Sequence, residues 1–354
     1  MVRIDTAVED AGYCASSFLM YRTIPDRSKC FSTKFPTSFY VREDSVKVND
    51  SHELEDALRQ QVTAACENGR AALALSGGID SAVLAKMMPA GSTAYTFKCV
   101  VPGVEVLDES KRAAVYAQEC GLEHRIVEVR WEDMLEYAPR LMAAKGAPIH
   151  SIEVQIYKAA LQAAKDGFDC IVFGESADCN YGGLSGVLSR DWTFGEYVDR
   201  YSYVLPYRVL RKWEMDLSPF EPFVDERGYA DVHEHFRHFF FEESMGSYAN
   251  AMGLANVRLV APYAKTWMGV PLDLRRVRAG ENKYLVREIF NRLYPNWDVP
   301  PKTPMPRPVD EWLCDWEGPV RPEFWPHCTD HMSGDQKWLV WVLERFLNMI
   351  EEAE

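Results

Sequence analysis

A short apolar run, Leu73-Ala74-Leu75, gives way to Ser76-Gly77-Gly78-Ile79-Asp80-Ser81, and apolar residues then return at helical spacing through Ala82, Val83 and Leu84. That order reads as a strand, a tight turn and a helix. Two adjacent glycines let successive backbone N–H groups converge on one anion, and the following helix adds unpaired N–H groups and a positive dipole end. The Ser76 and Ser81 hydroxyls extend the donor set. Asp80 would repel a bare phosphate, so the expected ligand is a magnesium nucleotide, with Asp80 on the metal.

The chain is 354 residues long, 47% hydrophobic and 26% charged, enough for one large or two ordinary domains and without the signature of disorder. No apolar stretch approaches the roughly 20 residues that span a bilayer, and Asp5, Glu9 and Asp10 stand where a signal peptide would be basic. A cytoplasmic protein is expected, with no membrane partner. The nine cysteines form no Cys-x-x-Cys pair, which points to reduced, mostly buried thiols rather than a disulfide framework or zinc ribbon. A net charge of −14 argues against a nucleic-acid partner, because phosphate contacts need clustered Lys and Arg.

Periodicity supplies the frame around the turn. Residues 1–52 read as a short N-terminal extension, with Phe18 to Arg22 and Ser38 to Val41 as short strands. A helix starts at Ser51, taken as its capping residue, and carries Leu54, Ala57, Leu58 and Val62 on one face. Then follow a strand at Ala94–Val101, a helix from Glu109 to Cys120 closed by Gly121, a strand at His124–Val129 and a helix from Ile152 to Ala164. This alternation predicts a doubly wound α/β fold, mostly parallel, with a helical C-terminal part.

A second site follows the apolar run that ends in Ile171-Val172-Phe173. Gly174-Glu175-Ser176-Ala177-Asp178, with Gly182-Gly183 just beyond, sets two carboxylates at the end of a central strand, where open α/β sheets bind ligands. Asp178 is expected to join Asp80 on magnesium, and Glu175 to orient substrate or assist proton transfer. A third segment, Trp297 to Pro304, is a proline-rich loop presenting Lys302, downstream of a helix start that carries Lys283 and Arg287.

Ser76 to Ser81 resembles the pyrophosphate-binding loop of the N-type ATP pyrophosphatases, the PP-loop superfamily, and differs from the Gly-x-x-x-x-Gly-Lys-Ser/Thr loop of enzymes that act on the γ phosphate. The second motif is similar to the Gly-Glu-Gly-Ser-Asp-Glu and Gly-Gly of the asparagine synthetase and β-lactam synthetase family. The segment from Asp108 to Gly121 resembles that family's helix after its second strand, and Gly146 to Ser151 its substrate-side turn. The resemblance covers about Glu53 to Ile350 and implies an ATP-binding synthetase domain over 53–350, of the adenine nucleotide α-hydrolase type. It implies a carbon–nitrogen ligase that adenylates a carboxylate, releases pyrophosphate and passes the acyl group to ammonia or an amine. By the same resemblance Lys302 and Glu175 are catalytic. Ser76, Gly77, Gly78, Asp80, Ser81, Phe97 and Gly174 bind ATP, and Asp80 and Asp178 hold Mg2+.

The departures are equally informative. Position 2 is Val2 rather than the glutaminase cysteine, and about 70 residues precede the loop, so the glutaminase half of the family is expected to be missing. Nitrogen would come from free ammonia, an amine substrate or a separate glutaminase; a homo-oligomer is compatible with all three. Arg258 to Tyr263 matches the family's Arg-x-Pro-Phe-Leu-Asp only loosely, which weakens the case for aspartate as substrate. A PP-loop tRNA-modifying or sulfur-transfer enzyme would share the first motif, but should show a basic face and paired cysteines. His233 to His238 is expected to be a solvent-facing helix rather than a metal site. Trp312, Trp316, Trp325, Trp338 and Trp341 are expected to pack the C-terminal helices, and Gly186 to Tyr207 to shape the acceptor pocket.

Overall fold

The computed structural model describes residues 1–4, 6–67 and 70–353; Asp5, one of the acidic N-terminal residues, lies outside the described residues. Five strands, β1 (Ala71–Ala74), β2 (Thr93–Cys99), β3 (Glu123–Val129), β4 (Cys170–Val172) and β5 (Arg258–Val260), form one parallel sheet in the order β5-β4-β1-β2-β3. The chain runs outward from β1 to β3, then returns to the other side of β1. The reversal lies between β1 and β4, and both motifs sit there, at the carboxyl ends of these two strands.

Alternation along the strands sorts the core into two layers. Leu73, Leu75 and Val172 face α2 (Ser51–Glu67), α3 (Ile79–Ala85), α4 (Ser110–Glu119) and α8 (Tyr284–Leu293). Ala72, Ala74, Ile171 and Phe173 face α1 (Ala11–Tyr21), α5 (Trp131–Lys145), α6 (Ser151–Lys165), α7 (Phe241–Leu254) and α9 (Gly334–Glu352). β4 is buried along its whole length, as its unbroken apolar sequence requires with helices on both faces. The doubly wound α/β expectation therefore holds.

Several local expectations change. Phe18 to Arg22 is not a strand but the end of α1, whose N-cap Asp10 accepts the Tyr13 N–H at 3.0 Å. Nearly every residue of α1 is buried, so it shows no amphipathic period to read. Ser38–Phe39 is a strand, paired with Val2–Arg3. At α2 the cap is Asp50 rather than Ser51: its carboxylate accepts the N–H groups of His52 and Glu53 at 2.8 and 2.9 Å. The His233 to His238 segment is not solvent-facing, since His233, His235 and Arg237 are buried, the last two against aromatic rings, and a π-helical turn (Phe236–Phe240) begins within it. Among the described residues no group of three or more metal-ligating side chains converges. Trp338 and Trp341 pack in the core, whereas Trp325 is exposed with the Arg211 guanidinium over its ring. All nine cysteines are free.

Candidate active site

The turn between β1 and α3 is braced by its own serines. Ser81 Oγ accepts the Ser76 N–H at 3.0 Å and lies 3.0 Å from Ser76 Oγ, which in turn accepts the Gly78 N–H at 3.1 Å. Hydroxyl placement thus follows from sequence spacing, because residue 81 sits one turn into the helix and points back over residue 76. Gly174, at the end of β4, approaches this turn closely. A Cβ there would meet the Ser81 backbone nitrogen at 3.1 Å and Asp80 Cβ at 3.2 Å, so a side chain would wedge the end of β4 away from the start of α3.

Four charges meet beside the turn. Lys283 Nζ donates to both carboxylate oxygens of Asp80, at 2.9 and 2.7 Å, and lies 3.0 Å from Asp178 Oδ1. Lys302 Nζ lies 2.9 Å from Asp178 Oδ2 and donates to the Gly183 carbonyl at 3.0 Å. Burial pushes the Asp80 carboxyl up and outweighs the opposing Lys283 ammonium, so its net shift is upward. Burial also acts on Asp178, but there Lys283 and Lys302 together prevail and the net shift is downward. Burial would lower the Lys283 ammonium; its two carboxylate partners raise it above the ordinary lysine range.

Asp80 and Asp178 fit the magnesium expectation in kind. Magnesium is commonly held by one or two carboxylates with substrate phosphates completing its shell. Asp178 Oδ1 is a buried hard oxygen whose partner here is the Lys283 ammonium 3.0 Å away, and a carboxylate oxygen with one such partner keeps a further lone pair for a cation. The surprise is Lys283, which enters the sequence pattern only as a spacing marker and which here pairs with both carboxylates at once.

Glu175 stands on the other side of β4's end. Ser244 Oγ, from α7, donates to Glu175 Oε1 at 2.8 Å, and the Tyr248 hydroxyl and Ser176 N–H also hydrogen-bond the carboxylate. Burial outweighs these donors and raises its carboxyl above the ordinary range. Ser176 adopts φ 73°, the left-handed region, with its hydroxyl buried and unpartnered. The family motif has glycine at this point, and the structure shows the backbone conformation that glycine serves.

These groups border one cleft at the carboxyl ends of β1 and β4. Ser76, Asp80, Ser81, Phe97, Gly174, Glu175 and Asp178 all line it, with Gly77 and Gly78 in the turn and Lys302 reached through Asp178. Thr303, Met305 and Pro306 line the cleft from the proline-rich segment. Gly186 to Tyr207, expected to shape an acceptor pocket, contributes no lining residue to it. Tyr95, Glu109, Ser244 and Tyr248 were not foreseen. Tyr248 and Ser244 reach Glu175 from about 70 residues further along the chain, beyond any local pattern.

A glycine-rich turn at the switch point of a parallel sheet, faced by a carboxylate-rich turn from the neighbouring strand, stands where open α/β sheets bind their ligands. Residues 53–269 match the family model described as asparagine synthase, over more than half of the chain, and the protein belongs to the asparagine synthase family. Lys283 and Lys302 lie beyond the matched span. No curated protein matches the sequence. Among solved structures, NMN synthetase from Francisella tularensis is similar at 12% identity and a TM-score of 0.29, covering 72% of this chain and 100% of that one. The NH3-dependent NAD synthetase from Campylobacter jejuni aligns at 11% identity and 0.27, covering 73% of this chain and 100% of that chain. A U34-tRNA thiolase from Methanococcus maripaludis aligns at 14% identity and 0.32, covering 84% of this chain and 79% of that one.

Proposed function

We propose that the protein activates a substrate carboxylate with ATP and then forms an amide. The carboxylate oxygen attacks the α phosphorus, the bond to the β-phosphate oxygen breaks and pyrophosphate departs. An amine or ammonia nitrogen then attacks the acyl carbon, AMP leaves, and the nitrogen gives up a proton. The observation that carries this reading is the convergence of Asp80, Asp178, Lys283 and Lys302 beside the Ser76 to Ser81 turn.

In this reading the turn's N–H groups and the Ser76 and Ser81 hydroxyls bind phosphate oxygens, while Phe97 and Gly174 border the nucleotide. Mg2+ held by Asp80 and Asp178 would neutralise charge on the leaving pyrophosphate. Lys283 keeps the two carboxylates together without it. Lys302, a compact ammonium on a flexible stem, follows charge as it builds on phosphate and acyl oxygen. Glu175, raised by burial and held by Ser244 and Tyr248, takes the amine's proton in this reading. The synthetase unit is taken as 53–350 with 1–52 as an N-terminal extension. Among the described residues no helix is long and apolar enough to cross a membrane.

Radiolabelled pyrophosphate exchange into ATP, screened across carboxylic acids, tests the proposal. Substrate-dependent exchange that disappears in Asp80→Ala supports it. Formation of ADP and phosphate, or exchange that is indifferent to Asp80, would sink it.

A further inference from the structure

The Ser76 to Ser81 turn is gripped from outside. Glu109 stands at the N-cap of α4 and Arg112 lies in its first turn, and both lean on Gly77. The Glu109 carboxylate takes the Gly77 N–H, while Arg112 Nη1 donates to the Gly77 carbonyl at 3.4 Å. A Cβ at Gly77 would come within 3.2 Å of Glu109 Oε1 and 3.3 Å of the Arg112 side chain. Two side chains of opposite charge, one helical turn apart, therefore hold the two polar backbone groups of a single glycine. Gly77 N–H is among the donors that the turn would offer a phosphate, and Glu109 lines the same cleft.

We propose that Glu109 is a positioning residue, an internal anion that holds the Gly77 N–H in the nucleotide-free turn and surrenders it to an ATP phosphate oxygen, with Arg112 retaining the displaced carboxyl group. The inference rests on the ATP reading of the turn. A carboxylate and a phosphate oxygen cannot share one N–H without strong repulsion at short range, so nucleotide binding selects the neutral or displaced form of Glu109. The charged groups around it are Arg112 and Asp108 on its own segment, Lys98 of β2, which pairs with Asp108 at 3.0 Å, and Asp80 across the cleft. Burial pushes the Glu109 carboxyl up to about 7, with Arg112 and the Gly77 N–H opposing and Asp108 adding to the rise. Competition is consequently strongest above neutrality.

Calorimetric titration of the full chain with MgATP between pH 6 and 8 tests this. Titration of ATP and magnesium themselves is common to all variants and cancels in the comparison. Wild-type affinity is expected to fall about tenfold more over this interval than that of Glu109→Gln, the factor that linkage gives for a group titrating near 7. Glu109→Gln should bind more tightly than wild type at pH 8. Arg112→Gln, which removes the opposing cation, should move the wild-type midpoint to higher pH, a shift that a merely structural role would not produce. Should Glu109→Gln fail to fold, Glu109→Asp withdraws the carboxylate from Gly77 by one methylene and should flatten the profile likewise. Parallel profiles for wild type and the Glu109 variant overturn the proposal, as does an Arg112→Gln midpoint that stays or moves down. Wild type that binds no MgATP at any pH overturns the functional reading and this inference with it, whereas binding with parallel profiles overturns this inference alone.

Discussion

Lys283 donates to both carboxylate oxygens of Asp80 across 203 residues of sequence, and the same ammonium reaches Asp178 at 3.0 Å. Removing it would leave two partly buried carboxylates facing one another with only Lys302 to compensate. Lys283→Met is expected to destabilise the fold by about 3 kcal/mol, the scale for stripping one partner from a buried ion pair. Lys283→Arg should not restore it, because a planar fork does not fit where a compact ammonium serves two partners. Urea unfolding of the three proteins checks both statements.

The same quartet sets a pH signature. Asp178 is held below the ordinary carboxyl range, so its contribution is present above that range and is lost as pH falls through the lowered value. Lys283 is raised, so its contribution is complete below the ordinary lysine range and disappears as pH rises through the raised value. Asp178→Asn should therefore flatten the acid limb of the stability curve near and below pH 4, measured by urea midpoints across pH.

Gly183 lies against Asp178, and a Cβ there would fall 1.9 Å from Asp178 Oδ1 and 2.8 Å from its Cα. Gly183→Ala must push Asp178 and Lys302 off their present positions. Pyrophosphate exchange is expected to drop about 100-fold, the usual cost of misplacing reacting groups by roughly 1 Å. A melting temperature that stays close to wild type would show that geometry, and not folding, has been lost.

Ser176 carries a side chain in a backbone conformation that glycine adopts freely. Ser176→Gly should relieve about 1 kcal/mol of strain and remove a buried, unpartnered hydroxyl. The expected result is a rise in thermal midpoint with exchange activity retained. A fall in stability would mean that the hydroxyl has a partner in solution.

Substitutions at Glu175 and its donors test the two proposed chemical steps separately. Glu175→Gln should leave pyrophosphate exchange within about tenfold of wild type while amide formation falls by roughly 10²–10⁴, the range for loss of a general base. Tyr248→Phe removes one donor to the carboxylate and should lift the Glu175 carboxyl further. The rising limb of the amide-forming pH profile would then move to higher pH. Equal losses in both steps for Glu175→Gln would assign it to binding instead.

Much of the frame was legible because strands and amphipathic helices announce themselves by period. β2, β3, α4 and α6 match their apolar spacing within a residue or two, and β4 reads from its unbroken apolar run. α1 escaped because it is buried on nearly all sides, which erases the contrast between faces. Within the site, Ser76 to Ser81 and Glu175 to Asp178 were legible as local motifs at strand ends. Lys283, Ser244 and Tyr248 were not, since their roles arise only when distant segments are folded onto those strands. Glu109 and Arg112 stood in a helix-start pattern that gave no hint of Gly77.

The placement of Lys283 has a consequence for synthesis. A chain emerging from the ribosome carries both acidic residues well before the lysine that reconciles them exists, and Lys302 follows later still. Until then the nascent β1 and β4 ends hold mutually repelling carboxylates where the strands must pair, so adjacent pairing is opposed electrostatically at the end that carries the candidate site. The central strands and the candidate site are thus expected to mature together, once the C-terminal third has emerged, rather than in the order in which they are made.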